Sequence, residues 1–192
     1  MAAPPDETRD EPHGTAMASP RARPDAVTGG ETHYLIFALA GLRCALPRGA
    51  VRELLPLPRL SRPPSMPATL AGFVNLGGEA LPVLALRHLL GLTRTVPVEP
   101  LYRHIIVAED TLPGSRVGLL VDRVLDLRPV AAAQCQPVPP GDSLNGCVIA
   151  LLSLPEGPAH LLDPARILLA QEQARLEELT RKAAARLDEW TA

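Results

Sequence analysis

The chain has 192 residues, with 19 basic and 21 acidic side chains and a formal net charge of -2 at pH 7. A balance this even creates no field to gather a polyanion, and one Trp, two Tyr and two Phe offer few stacking platforms, so nucleic acid is excluded as an expected partner. A folded part of roughly 140 to 160 residues buries about two-thirds of its surface without metals or cross-links, so a single folded unit is expected.

Residues 1–31 are rich in Pro, Ala, Gly and charge, with little beyond Met17 and Val27 to bury, and are read as a disordered tail. Asp6, Glu7, Asp10 and Glu11 stand where a secretory signal would be basic, and no apolar block follows. No window approaches the roughly twenty apolar residues that cross a bilayer. A cytoplasmic protein without direct membrane insertion is the expectation.

From His33 the pattern changes to apolar runs of Val, Leu and Ile, broken by Gly, Pro or Asp about every ten residues, a rhythm of short strands. The predicted strands are Tyr34–Ala38, Arg43–Leu46, Val51–Leu55, Gly72–Leu76, Ala80–Leu84, Arg103–Ala108, Arg116–Val121, Val124–Leu127, Gly146–Leu152 and Ala159–Leu162. In Val51-Arg52-Glu53-Leu54, alternation sets Val51 and Glu53 on one face, giving it mixed apolar and charged character, or else a bulge shifts a core Val beside an exposed Glu. The Pro-rich stretch Pro56–Pro67 is a long connection carrying Arg59 and Arg62 exposed. Gly77-Gly78 supplies the positive φ angles of a tight hairpin, and Pro82 in its second arm cannot donate to a central ladder, which places that arm at an edge or bulge. A short helical run follows at Leu86–Leu90. Ten strands overfill one small barrel, so two lobes are expected, about 32–95 and about 100–163, with a seam near Thr93–Pro100. Asp163-Pro164 reads as a capped helix start, and Leu176, Leu179, Ala183, Leu187 and Trp190 recur at helical spacing in an amphipathic helix over 164–190, with Glu177–Arg181 and Glu178–Lys182 pairs outside. This helix either folds back over the strands or pairs with another helix.

Chemistry is harder to find. Cys44, Cys135 and Cys147 are odd in number, widely spaced and set in apolar strings, which suits core packing in a reducing compartment. The five histidines never fall at ligand spacing, and no nucleophile elbow, phosphate loop or zinc motif occurs, so no catalytic residue, metal or cofactor is expected. Asp122 closes the apolar strand Val117–Val121 as an acceptor aspartate closes a strand in a receiver domain, but strand follows strand here without the intervening helices that fold needs. Asp122 is therefore read as capping the turn between its two neighbouring strands. A small barrel enzyme or ligand-binding protein would require a concave pocket with convergent polar groups.

Gly72-Phe73-Val74-Asn75-Leu76-Gly77-Gly78, followed by Pro82-Val83-Leu84, resembles the core motif of the CheW-like domain family. Thr32–Gly41, Cys44–Pro47 and Val51–Leu54 resemble its opening strands, and Arg116–Val124 its second-half signature, so the resemblance runs from about 32 to about 169. It implies a mainly β fold of two SH3-like five-stranded β-barrels with a C-terminal α-helix, terminal strands being open to exchange between the lobes. It further implies a non-enzymatic scaffold that joins a CheA-type histidine kinase to the cytoplasmic tip of a methyl-accepting chemoreceptor. Carried over residue by residue, the partner-binding positions are Val51, Glu53, Gly72, Asn75, Gly78 and Val117. Gly77 stands where the family has an Arg, and Ala85 where it has an Asp, so a guanidinium contact with the receptor is missing at that corner. The alternative is a divergent adaptor of a non-flagellar pathway that binds the kinase and an atypical partner.

Overall fold

The computed structural model describes residues 31–64, 66–94, 97–112, 115–139, 144–168 and 170–191. The tail expected over 1–31 lies, apart from Glu31, outside the described residues. The strands are β1 (Thr32–Leu39), β2 (Leu42–Pro47), β3 (Val51–Pro56), β4 (Leu70–Leu76), β5 (Glu79–Leu84), β6 (His104–Leu112), β7 (Ser115–Val121), β8 (Arg123–Val130), β9 (Cys135–Pro137), β10 (Val148–Leu152) and β11 (Ala159–Leu162). Among the described residues two α-helices join them, the short α1 (Leu86–Leu89) and the C-terminal α2 (Ala170–Thr191).

The strands form two sheets, ordered β8-β1-β2-β11-β10-β9 and β3-β6-β7-β5-β4. Each draws on both sides of the stretch 93–100, so consecutive halves of the chain do not make separate sheets. The first hairpin, β1–β2, sits inside the sheet of the last strands, antiparallel to β8 and parallel to β11 through His160↔Cys44 and Leu161↔Ala45. β6 and β7 in turn complete the sheet of β3, β4 and β5.

Six and five strands replace the expected five and five, because the three-residue β9 pairs with β10. Nor are closed ladders found: among the described residues one sheet ends at β8 and β9, the other at β3 and β4. β9 ends at Pro137, which cannot donate, and the free side of β4 is met by Ser61, bonded both ways to Phe73 at 2.8 Å.

The interior strands are buried on both faces, and this explains why they read as continuous hydrophobic runs, while the outer strands β3 and β8 expose one side. Leu35, Phe37 and Leu39 of β1 and Ile106 and Ala108 of β6 share one core between the sheets. Their alternate neighbours face elsewhere: Ile36 joins Ala45, Leu152 and Leu161, while Ile105 and Val107 join Leu81 and Val83. Gly118 of β7 faces this last cluster, where an added Cβ would stand 2.7 Å from Ile105 Cγ2. Each large side chain removed from water in these cores contributes about 1.5 to 3 kcal/mol.

Two local expectations change. Pro82 lies in an interior strand, since β5 runs between β4 and β7, and the edge arm is β4. It is tolerated there because its opposite residue, Phe73, spends both backbone groups on Ser61, and pairing of β5 with β7 begins only at Val83. Asp163 does cap, accepting from the Ala165 N–H at 3.0 Å, but the element is a 3₁₀ turn over Pro164–Arg166 and the α-helix starts at Ala170. α2 folds back, with Leu176 in the shared core and Leu179 and Ala183 packed against it. Lys182 pairs with Glu178 at 2.5 Å on its outer side. The side chains of Leu187 and Trp190 lie outside the described residues.

Asp122 acts at a distance. It sits where the chain leaves one sheet for the other, between β7 and β8, and its Oδ2 accepts the Ala40 N–H at 2.6 Å in the β1–β2 turn. Its own N–H donates to the Ala38 carbonyl. The turn residues Ala40 and Gly41 have φ +50 and +85, and Ala40 is buried, so its N–H would otherwise be orphaned. Asp122→Ala is expected to destabilise the protein by about 1 to 3 kcal/mol in denaturant unfolding, and Asp122→Asn, which keeps an acceptor, by less.

Candidate functional site

The β4–β5 hairpin is built around its turn. Leu76 and Glu79 close the ladder, and Gly77 and Gly78 turn at φ +64 and +92, the left-handed pair of a two-residue hairpin. The Asn75 side chain holds it, its Oδ1 accepting the Gly78 N–H at 2.8 Å. All three residues are exposed, and a Cβ at either glycine would meet nothing within 4 Å, so this corner is an open knuckle. Glu79 beside it is bound to Arg116 of β7.

Gly72 and Val117 are of a different kind. Gly72 is buried at φ +152, and a Cβ there would stand 2.8 Å from both Leu60 Cβ and the Ser61 carbonyl, so it lets the Pro-rich connection press onto β4. Val117 is buried in β7 opposite Ala108. Both shape the surface from beneath rather than presenting a side chain to a partner.

On the outer strand β3, Val51 is buried and Glu53 half-buried, while Arg52 and Leu54 face outward, Leu54 at 41% exposure. The register with β6 slips between Val51 and Glu53. Arg52 pairs with Glu109 at 3.0 Å. The displayed pair is therefore Arg52 and Leu54, which plain alternation assigned to the other face.

Other apolar display went unread in the sequence. Leu101, 80% exposed, and Tyr102 precede β6, and the Arg123 guanidinium lies 5.1 Å from the Tyr102 ring centre. Leu125 and Leu127 are exposed on the edge strand β8. Their signal was present in Leu125-Asp126-Leu127-Arg128, where charges alternate with leucines at a sheet edge, but the run resembles any buried strand.

A groove of about 560 Å³ opens between the connection at 59–64 and the β4–β5 hairpin, with Ala183 of α2 on its wall. Phe73, Val74 and Ala80 give it an apolar floor, and Asn75, Arg59 and Arg62 give it polar edges. Among the described residues no carboxylate, imidazole or thiol lines it beside Ser61.

Burial pushes the Cys44 thiol up to about 12 and that of Cys147 to about 11, far from the thiolate form that attacks or ligates. Among the described residues no group of His, Cys, Asp and Glu could hold a metal ion, and no helix is long and apolar enough to cross a membrane.

Comparison with known proteins agrees on one family. The model of the CheW-like domain matches residues 33–172. A probable chemotaxis protein CheW of Rhizobium etli is 31% identical over 110 residues, covering 57% of this chain and 68% of that one. A chemotaxis protein CheW of Rhizobium meliloti is 31% identical over 113 residues, covering 59% and 70%. Among solved structures, the scaffolding protein TtCheW of Thermoanaerobacter tengcongensis superposes with a TM-score of 0.67 at 20% identity, over 79% of this chain and 96% of that one, a likeness of fold.

His160 is half-buried in β11, and burial shifts its titration downward. The folded state thus favours the neutral imidazole, and the unfolded chain binds the extra proton. Stability from this residue holds above the ordinary imidazole range near pH 6.5 and is lost as pH falls through it. Denaturant midpoints measured from pH 7.5 to 5 should fall, and His160→Gln should flatten that slope.

Proposed function

Because the chain belongs to the CheW-like domain family, we propose that it is a non-enzymatic, cytoplasmic coupling protein of a chemosensory array. It holds a CheA-type histidine kinase to the cytoplasmic tip of a methyl-accepting chemoreceptor. Its two sheets are read as SH3-like barrels, each closed through side-chain packing around its own apolar cluster rather than by a continuous ladder. No cofactor or metal enters the reading.

The observation that carries it is the family match over residues 33–172, joined to a motif hairpin that projects as an exposed turn from an edge strand. Edges and exposed leucines suit reversible protein contacts, since unpaired backbone groups and small apolar patches both seek partners. β3, with Leu54 and Arg52 outward over Val51 and Glu53, is assigned to the kinase's own similar domain. The turn at Asn75, Gly77 and Gly78 is assigned to the receptor, with Gly72 and Val117 setting the backbone beneath. Coupling is then a matter of differential contact: whichever receptor state binds the scaffold more tightly also biases the kinase held beside it.

Gly77 favours weighing a second reading, an adaptor that binds the kinase but meets an atypical partner. A turn residue without a side chain cannot make the multi-donor contact an Arg would make.

Titration of the purified full chain with the kinase and with a receptor-tip fragment encoded in the same genome is expected to give binding to both. Binding to the kinase alone would favour the second reading, and binding to neither would contradict both. Gly77→Arg should raise affinity for the receptor fragment about tenfold, roughly 1.4 kcal/mol, with kinase affinity unchanged. The same change should lower the unfolding free energy by about 1 to 2 kcal/mol, because Arg must adopt a left-handed backbone.

A further inference from the structure

The groove beside the hairpin contains two cations whose charge the fold does not use. Arg52, Arg116, Arg128 and Arg166 are each held by a carboxylate, at Glu109, at Glu79, at Asp126 and Glu156, and at Asp163. Among the described residues neither Arg59 nor Arg62 has such a partner, although both are exposed and both line the groove. Arg62 is positioned nonetheless: its Nε donates to the Ala71 carbonyl at 2.7 Å, which leaves the outer amino groups of the fork free. The segment carrying them is stiffened by Pro58, Pro63 and Pro64 and tied to β4 through Ser61 and Phe73. One positioned guanidinium, Arg62, with Arg59 exposed on the same stiffened segment and an apolar floor between, suits a ligand that is both anionic and greasy.

We propose that this groove is a docking site for a segment of a partner protein that sets an Asp or Glu carboxylate against Arg59 and Arg62 and an apolar side chain on Phe73 and Val74. Charge complementarity carries the choice of occupant. In a chain of net charge -2 these are local, unspent cations, enough to orient one or two carboxylates and too few to hold a polyanion. The apolar floor likewise favours a peptide over a phosphate chain. Asn75, on the hairpin side, lines the same groove as the arginines, so the groove extends the exposed turn into a larger contact and supplies, from the connection, the guanidiniums that Gly77 does not. The inference rests on the coupling-protein reading and names the chemistry of its receptor-side contact.

The test uses the full chain, the receptor-tip fragment from the same genome as probe, and the kinase as control. The double variant Arg59→Glu/Arg62→Glu is expected to lose at least tenfold in affinity for the fragment. Arg59→Lys/Arg62→Lys should retain most of it, and kinase affinity should stay unchanged in both. Each variant loses the Arg62 Nε bond to the Ala71 carbonyl, so their thermal midpoints should fall by similar amounts and stability will not account for a difference in fragment affinity. Wild-type affinity should fall with added salt, and this dependence should weaken in the Glu variant. If wild type binds the fragment and the charge reversal changes affinity less than twofold, the proposal is overturned while the coupling reading stands. If wild type binds neither fragment nor kinase, the coupling reading itself fails and the proposal falls with it. If deleting residues 2–30 raises fragment affinity and the charge reversal abolishes that gain, the groove seats the chain's own acidic stretch, Asp6 to Glu11, and the proposal is overturned.

Discussion

The structure depends on the insertion of the first hairpin between strands from the far end of the chain. β1 pairs with β8 along most of its length, and β2 meets β11 through only two residues. That parallel contact closes a loop of over a hundred residues and gains little hydrogen bonding in return. Its stability comes from burial: Phe37, Leu39, Cys44 and Leu46 fill the core between the sheets, while Ile36 and Ala45 fill the second cluster of their own sheet. Neither sheet is complete without strands from both halves, so the two cannot fold as independent beads.

Once the sheets interlock, their junctions become the critical points. The chain changes sheets between β7 and β8, and there Asp122 reaches back to the β1–β2 turn and satisfies a buried N–H. Gly118 in β7 lets Ile105 come within a distance no Cβ would permit. Gly72 does the same for the connection over β4. These positions carry no chemistry of their own. They fix the backbone so that the outer strands and the hairpin turn are held at set angles, which a scaffold needs if a change at one contact is to be felt at another.

Much of this was legible in the residues. The interior strands showed as apolar runs because they are buried on both faces, and the Gly-Gly turn showed because few other pairs tolerate two positive φ angles. What was not legible came from tertiary context. Pro82 suggested an edge, yet it sits in an interior strand, since the backbone of its neighbour Phe73 is turned toward Ser61. The partner of Asp122 lies 82 residues away, beyond any local pattern. The seam expected at Thr93–Pro100 divides composition but not sheets, because hydrophobic periodicity does not reveal which strand pairs with which. At the site, the motif residues could be named but not sorted. Only the fold separates Asn75, which is displayed, from Gly72 and Val117, which are buried, and shows that of the two alternating faces of β3 it is the one with Arg52 and Leu54 that is turned outward. The groove went unseen because its walls bring together the Pro-rich connection, the hairpin and, from about a hundred residues further on, α2.

Interlocking can be tested directly by hydrogen–deuterium exchange of the full chain in increasing sub-denaturing urea, read at the amides of β1 and β10 in one sheet and β6 and β7 in the other. One cooperative unit predicts that all four strands converge on a single opening free energy with a single denaturant slope. Two sheets opening at separate free energies, each with its own smaller slope, would contradict the account.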